Sequence, residues 1–223
     1  MPRRLRHTLH GAAFHVINRA VRCATIFETP SDYRAFLKVA GDAMARHPVR
    51  VIAYCVMPTH WHFVVLCDRI PEVSKWMHWV AGTHAARWHA AHGTRGTGHL
   101  YQDRFEAVPI QTETSLLRVC RYVERNALRK GLVDAAEDWE WGSLYACSRN
   151  CHAIELEPWP ILKPDNWIQI VNTPENEAEL EALRNTLRRN QPIGEPAWQT
   201  AVAPFVGLTM RPIGRPRKRS PTP

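Results

Sequence analysis

The sequence predicts an α+β protein: a ferredoxin-like, four-stranded antiparallel sheet with helices on one face, then a C-terminal helical extension and a basic tail. Three observations carry that expectation. Up to about residue 148, β-branched and aromatic runs alternate with helix-period stretches in the order β-α-β-β-α-β-α. Two of those runs flank a Pro-containing break, which reads as a hairpin. The composition, 223 residues with 45% hydrophobic and 22% charged side chains, is that of a globular chain long enough for one domain with extensions.

Each element has its own warrant. Phe14-His15-Val16-Ile17-Asn18-Arg19 is a short strand. Ser31-Asp32 opens a helix to about Arg46: either residue can cap it, and Phe36, Leu37, Ala40 and Met44 recur at helical spacing. His47-Pro48 ends it. Val51 to Val56 and Trp61 to Leu66 are the paired strands, with Met57-Pro58-Thr59-His60 between them. Glu72 to about His92 is a helix in which Trp76, Trp79 and Trp88 have helical spacing, a pattern that favours core packing over base stacking. The Gly-rich stretch 93–98 is a break. Phe105 to Ile110 is a fourth strand, placed at an edge by Pro109. Thr112 to about Lys130 is the next helix, stopped by Gly131.

Beyond about Ser148 the periodicity fades. Residues 149–172 are rich in Pro and Trp. Thr173-Pro174-Glu175 has the cap, proline and acid of a helix start, with the helix reaching about Arg189, and Pro196 opens another through Val202 to Val206. The chain divides on this basis into a domain over 1–148, a linker and helical extension over 149–210, and a tail over 211–223. Arg211, Arg215, Arg217, Lys218 and Arg219 in the tail supply most of the net charge of +8. That charge makes acidic partners, nucleic acid above all, the leading class.

Other classes recede. No run of about 18 apolar residues predicts a membrane span. No apolar stretch follows the basic N-terminus as it would in a secretory leader. The six cysteines form no C-x-x-C pair, the pattern of reduced thiols. Cys147, Cys151 and His152 lack the second ligand pair of a zinc site.

Two groups of residues carry chemistry. His60-Trp61-His62 lies on a strand, where side chains at i and i+2 share a face, so two imidazoles can stand side by side and bind a divalent metal. The same pattern also suits two half-exposed histidines on a sheet. On the helix after residue 112, Leu116, Val119, Cys120, Val123 and Ala127 share one face, and Arg118, Arg121, Arg125 and Arg129 the opposite one. Tyr122 and Asn126 sit on the seam between them. A phosphodiester drawn to the arginines would meet a phenol, and Asn126 could add a third metal ligand. A surface helix whose tyrosine only covers the core edge fits the same spacing.

Together these residues resemble the HUH single-tyrosine transposases, and most closely the REP-associated tyrosine transposases. Met57-Pro58-Thr59-His60-Trp61-His62 resembles their M-P-N-H-x-H hallmark, and Tyr122 to Val133 their catalytic helix, Y-x-x-x-N-P-x-R-x-G-L-V. His15 to Arg19, Gly98 to Phe105 and Trp139 to Ser143 match as well, so the resemblance runs from about residue 11 to 146, with a weaker likeness from Pro192 to Trp198. Thr59 stands where the family has Asn, Ala127 where it has Pro, Tyr101 for Trp and Gly142 for Ser. None of these removes a ligand or the nucleophile, and Ala127 lets the helix run on past Asn126.

The resemblance implies metal-dependent cleavage and rejoining of single-stranded DNA through a 5′-phosphotyrosine. Tyr122 is then the nucleophile, and His60, His62 and Asn126 hold Mg or Mn. The implied substrate is a single strand folded into a hairpin, a REP-like palindrome. Arg118, Arg121, Arg125 and Arg129 are the expected DNA contacts, joined by Arg215, Arg217 and Lys218 of the tail, whose Gly214-Arg215-Pro216 resembles an AT-hook core suited to duplex DNA. The expected location is the bacterial cytoplasm, at the nucleoid, with no membrane partner; monomer and dimer both stay open. Two rival readings use the same residues: a domesticated protein that binds a palindrome without cutting it, and a hydrolase that uses water at the same metal.

Overall fold

The computed structural model describes residues 12–204 apart from Arg69 and Thr112. The tail residues Arg215, Arg217 and Lys218 lie outside the described residues. The first seven regular elements are β1 (Ala12–Arg19), α1 (Pro30–Arg46), β2 (Arg50–Met57), β3 (His60–Cys67), α2 (Ile70–Ala91), β4 (Glu106–Ile110) and α3 (Glu113–Glu124). The strands form one sheet in the order β2-β3-β1-β4, every pairing antiparallel. This is the ferredoxin-like arrangement, with the proline-bearing β4 at an edge.

Strand alternation sorts the side chains onto two faces. Phe14, Val16, Trp61, Phe63 and Val65 join Phe36, Leu37 and Ala40 of α1 and Val73, Trp76 and Met77 of α2 in one core. Ala13, Val64, Leu66, Val108 and Ile110 point the other way, onto Leu116, Val119, Cys120 and Val123 of α3. The two helices of the βαββαβ unit therefore share a face, and α3 covers the opposite one. A bulge between Val51 and Ala53 turns both Ile52 and Ala53 toward the α3 side. Trp76 is fully buried and donates its indole N–H to Ala40 O (3.3 Å); Trp88 donates to Ile26 O (2.8 Å). Both spend their polar atom inside the fold, as the helical spacing predicts.

Local differences from the sequence reading have plain causes. Thr29, not Ser31 or Asp32, caps α1: its hydroxyl accepts from Asp32 N, and Asp32 Oδ2 accepts from Thr29 N (2.9 Å), a reciprocal capping box. The helix expected over 112–130 is not continuous. It is interrupted at Arg125, whose ψ of −4° opens the turn, and resumes as α4 (Asn126–Arg129). Gly131, at φ +67°, ends it as expected, with Leu132 N donating back to Ala127 O (3.0 Å).

Downstream lie α5 (Ser143–Arg149), α6 (Trp167–Asn172), α7 (Glu177–Arg188) and α8 (Pro196–Val202). Helix α6 falls in the stretch without periodicity. Helix α7 starts later than Thr173-Pro174-Glu175 suggests: Asn176 is the cap, accepting from Ala178 N and Glu179 N. Thr173, Pro174 and Glu175 instead form the junction between α6 and α7. Trp167, Val171, Leu183 and Leu187 pack into the same core as α3. Ile193 bridges Ile110 in parallel, its N–H donating to Pro109 O (2.9 Å), so the extension covers part of the β4 edge. Among the described residues no helix is long and apolar enough to cross a membrane.

Candidate active site

The hairpin between β2 and β3 turns through Pro58 and Thr59, so His60 opens β3 and His62 follows on the same face. That face is the one α3 covers. The result is that Tyr122 stands over the imidazoles: its ring centroid is 5.9 Å from that of His62, nearly perpendicular at 88°, while His60 and His62 lie 4.9 Å apart. Asn126, one turn on, is 2% exposed. These four residues share a cleft of about 720 Å³.

The nitrogens are already sorted. Thr59 Oγ1 sits 2.9 Å from His60 Nδ1, and His15 Nε2 sits 2.9 Å from His62 Nδ1. Each engaged Nδ1 leaves the Nε2 atom for the cleft. Burial lowers the pKa of His60 to about 4, helped by Arg19, Lys130 and Arg129; burial, then His60 and His15, hold His62 well below the ordinary histidine value. Neutral imidazoles are the form that ligates a metal.

The donor set fits a divalent cation. No group of three His, Cys, Asp or Glu side chains suited to a metal occurs among the described residues, and the Asn126 amide, in the same cleft, could add an oxygen to the two imidazoles. Its Oδ1 accepts one hydrogen bond, from Arg129 (3.1 Å), and keeps a lone pair, while its buried Nδ2 has no partner among the described residues. An orphaned polar atom in so enclosed a place marks a site built for something polar.

The arginine face does not point uniformly to solvent. Arg118 is exposed and does not line the cleft. Arg121 donates to Thr173 O (2.7 Å), and Arg125 to Val171 O (2.6 Å). Arg129, only 10% exposed, pairs with Glu175 (3.2 Å) and stacks its guanidinium 4.2 Å from the Tyr122 ring centroid. Three of the four arginines therefore bind the α6–α7 junction, and Arg129 alone of the four reaches the cleft.

Two residues escape a reading by pattern. His15, 1% exposed, stacks on His62 with centroids 5.1 Å apart. Burial lowers its pKa to about 3, and its Nδ1 has no partner among the described residues. Its alternation along β1 could have flagged it, but only once β1 is known to neighbour β3. Glu124, two residues after Tyr122, is buried at the end of α3, where its carboxylate accepts from Ser143 Oγ and Trp167 Nε1, both at 2.6 Å. Burial raises its pKa. It ties the tyrosine helix to α5 and α6.

Comparison with known proteins bears on the family and the fold. The family described as "Transposase IS200 like" matches residues 8–126, a little over half the chain. No curated protein sequence matches. Among solved structures, a REP-associated tyrosine transposase bound to a REP hairpin is similar with a TM-score of 0.51 at 18% identity, covering 68% of this chain and 88% of that one. A protein of Deinococcus radiodurans assigned as a transposase is similar with a TM-score of 0.41 at 16% identity, covering 56% of this chain and 96% of that one. With the paired histidines, the facing tyrosine and the antiparallel sheet all inside the matched stretch, the chain belongs to the IS200-like transposase family.

Proposed function

We propose that this transposase cuts and rejoins single-stranded DNA at Tyr122, on a strand folded into a REP-like hairpin. The observation that carries the reading is the placement of the Tyr122 ring over His62, beside His60, on the wall of a cationic cleft. The fold shared with a transposase solved on a REP hairpin supports the choice of substrate.

In this reading Tyr122 Oη attacks phosphorus. The bond to the 3′ oxygen breaks, leaving a 3′-hydroxyl and a 5′-phosphotyrosine; a later 3′-hydroxyl attacks the same phosphorus and regenerates the phenol. Covalent capture keeps the bond energy, so no external source is needed. His60, His62 and Asn126 are the residues that would hold a Mg or Mn ion, which when bound would supply Lewis-acid polarisation of the phosphate. The chain does the rest. Thr59 and His15 fix the two imidazoles, Arg129 orients the Tyr122 ring and Asn126 together, and its guanidinium against the ring would favour the negative charge that develops on the phenol during attack.

The test is an SDS-stable adduct between the protein and hairpin DNA carrying a single-stranded flank, in Mn or Mg. The wild type forms it, and Tyr122→Phe loses it while retaining DNA binding. An adduct that survives in Tyr122→Phe removes the nucleophile assignment. Binding without cleavage in any metal favours the palindrome-binding reading instead.

A further inference from the structure

The cleft has a wall that the tyrosine helix and the sheet do not build. It is lined there by Arg184, Leu187 and Arg188 of α7, some sixty residues past the end of the family match at residue 126. Leu180, Leu183 and Leu187 form the buried stripe of α7, and Arg184 and Arg188 follow along one edge of it. At about 100° per residue the two arginines share that edge, and both line the cleft. Arg184 is half-buried and makes no ion pair among the described residues; Arg188 is exposed, with Asn185 Oδ1 at 2.6 Å and Glu181 Oε1 at 3.3 Å.

The charge of the cleft is lopsided. Arg19, Arg104 and Lys130 join the α7 pair around its walls, against the acids Asp103 and Glu106. Arg121, Arg125 and Arg129 meanwhile hold the segment that leads into α7, through Thr173, Val171 and Glu175. Cations that the sequence alone would give to DNA are thus engaged in seating a helix, and that helix brings its own cations to the cleft. Like-charged arginines crowded around a concave site cost energy unless a polyanion joins them.

We propose that α7 is a DNA-binding wall of the active site, with Arg184 and Arg188 gripping the phosphates of the single strand that enters the cleft of His60, His62 and Tyr122. This rests on the function proposed above and assigns the extension a share in substrate binding. The contacts are to phosphate, so they add affinity without reading sequence.

The experiment measures binding, not cleavage, on the full chain with Tyr122→Phe in every protein. The probes are a fluorescent DNA hairpin with a single-stranded flank and the same hairpin without it, titrated over a range of salt. Replacing both residues (Arg184→Ala with Arg188→Ala) should weaken binding of the flanked hairpin about tenfold at low salt. It should also reduce the log–log salt slope by about 1.4, from about 0.7 per phosphate contact on a single strand. The bare hairpin should bind unchanged, and the paired Lys substitutions should restore most of the slope. Alanine favours helix, so α7 should persist; if the double variant nevertheless unfolds, Arg188→Ala, at an exposed position, carries the test with a slope change of about 0.7. Unchanged affinity and slope in a folded variant overturn the proposal, as does equal loss on both probes. Failure of the wild type to form the covalent adduct would sink the cleavage reading alone, since these titrations do not depend on it.

Discussion

His15 shows how one contact can govern a ligand. With its Nε2 at 2.9 Å from His62 Nδ1, it fixes which nitrogen of His62 faces the cleft and how its ring is turned. Partners of this kind typically change metal affinity about 10- to 100-fold. His15→Phe, which keeps a ring in the buried slot, should therefore weaken Mn binding by about that factor in calorimetry while the melting profile stays cooperative. Equal affinity would show that His62 needs no such support. His60 and His62 are legible in the sequence because alternation along one strand puts them side by side. His15 is not, because its contact crosses from β1 to β3 at a separation of 47 residues, and local periodicity has no view of that distance. Asn126 sits near Tyr122 as its four-residue spacing suggests, yet its amide is turned by Arg129, a contact the helical wheel leaves out.

At the scale of elements, the junction between α6 and α7 is held to the tyrosine helix by a nearly dry ion pair. Arg129 and Glu175 are each 10% exposed, and Arg125 stands 3.9 Å from the same carboxylate. Removing the charge with Glu175→Gln leaves two guanidinium groups undercompensated and should cost about 1–3 kcal/mol in urea unfolding. A loss below about 0.5 kcal/mol would mean that the pair behaves like an exposed one. The sequence misleads here for a physical reason. A capping residue, a proline and an acid open many helices, but Thr173, Pro174 and Glu175 meet arginines instead, and the cap passes to Asn176. Helix α6 is silent in the sequence because six residues present only two buried anchors, Trp167 and Val171, too few to show a period.

For the molecule as a whole, the order of strands and helices is readable because each run keeps its own period, and the proline in β4 marks an edge. The covering of the second sheet face is not, since it depends on where α3 returns. The two-sided core also buries a titratable group away from the cleft. His84 lies between Phe27 and Phe36, with its Nδ1 2.6 Å from the Tyr101 hydroxyl, and burial lowers its pKa to about 3. The folded state thus holds it neutral while the unfolded chain protonates near 6.5. Its contribution to stability is full above about pH 6.5 and is lost as pH falls toward 3. Wild-type stability in urea should drop between pH 7 and pH 5 more steeply than that of His84→Gln; parallel curves would contradict the burial argument.

Arg121 and Arg125 reach main-chain oxygens, those of Thr173 and Val171, rather than side chains. Every amino acid offers that acceptor. Point changes at the exposed Thr173 and Pro174 should therefore leave the extension seated, whereas inserting or deleting one residue there would slide each carbonyl out of reach and swing α7 off its perch. Drift in this segment is constrained by length more than by spelling, so a descendant could rewrite its letters, fade from any profile of the family, and still close the same cleft.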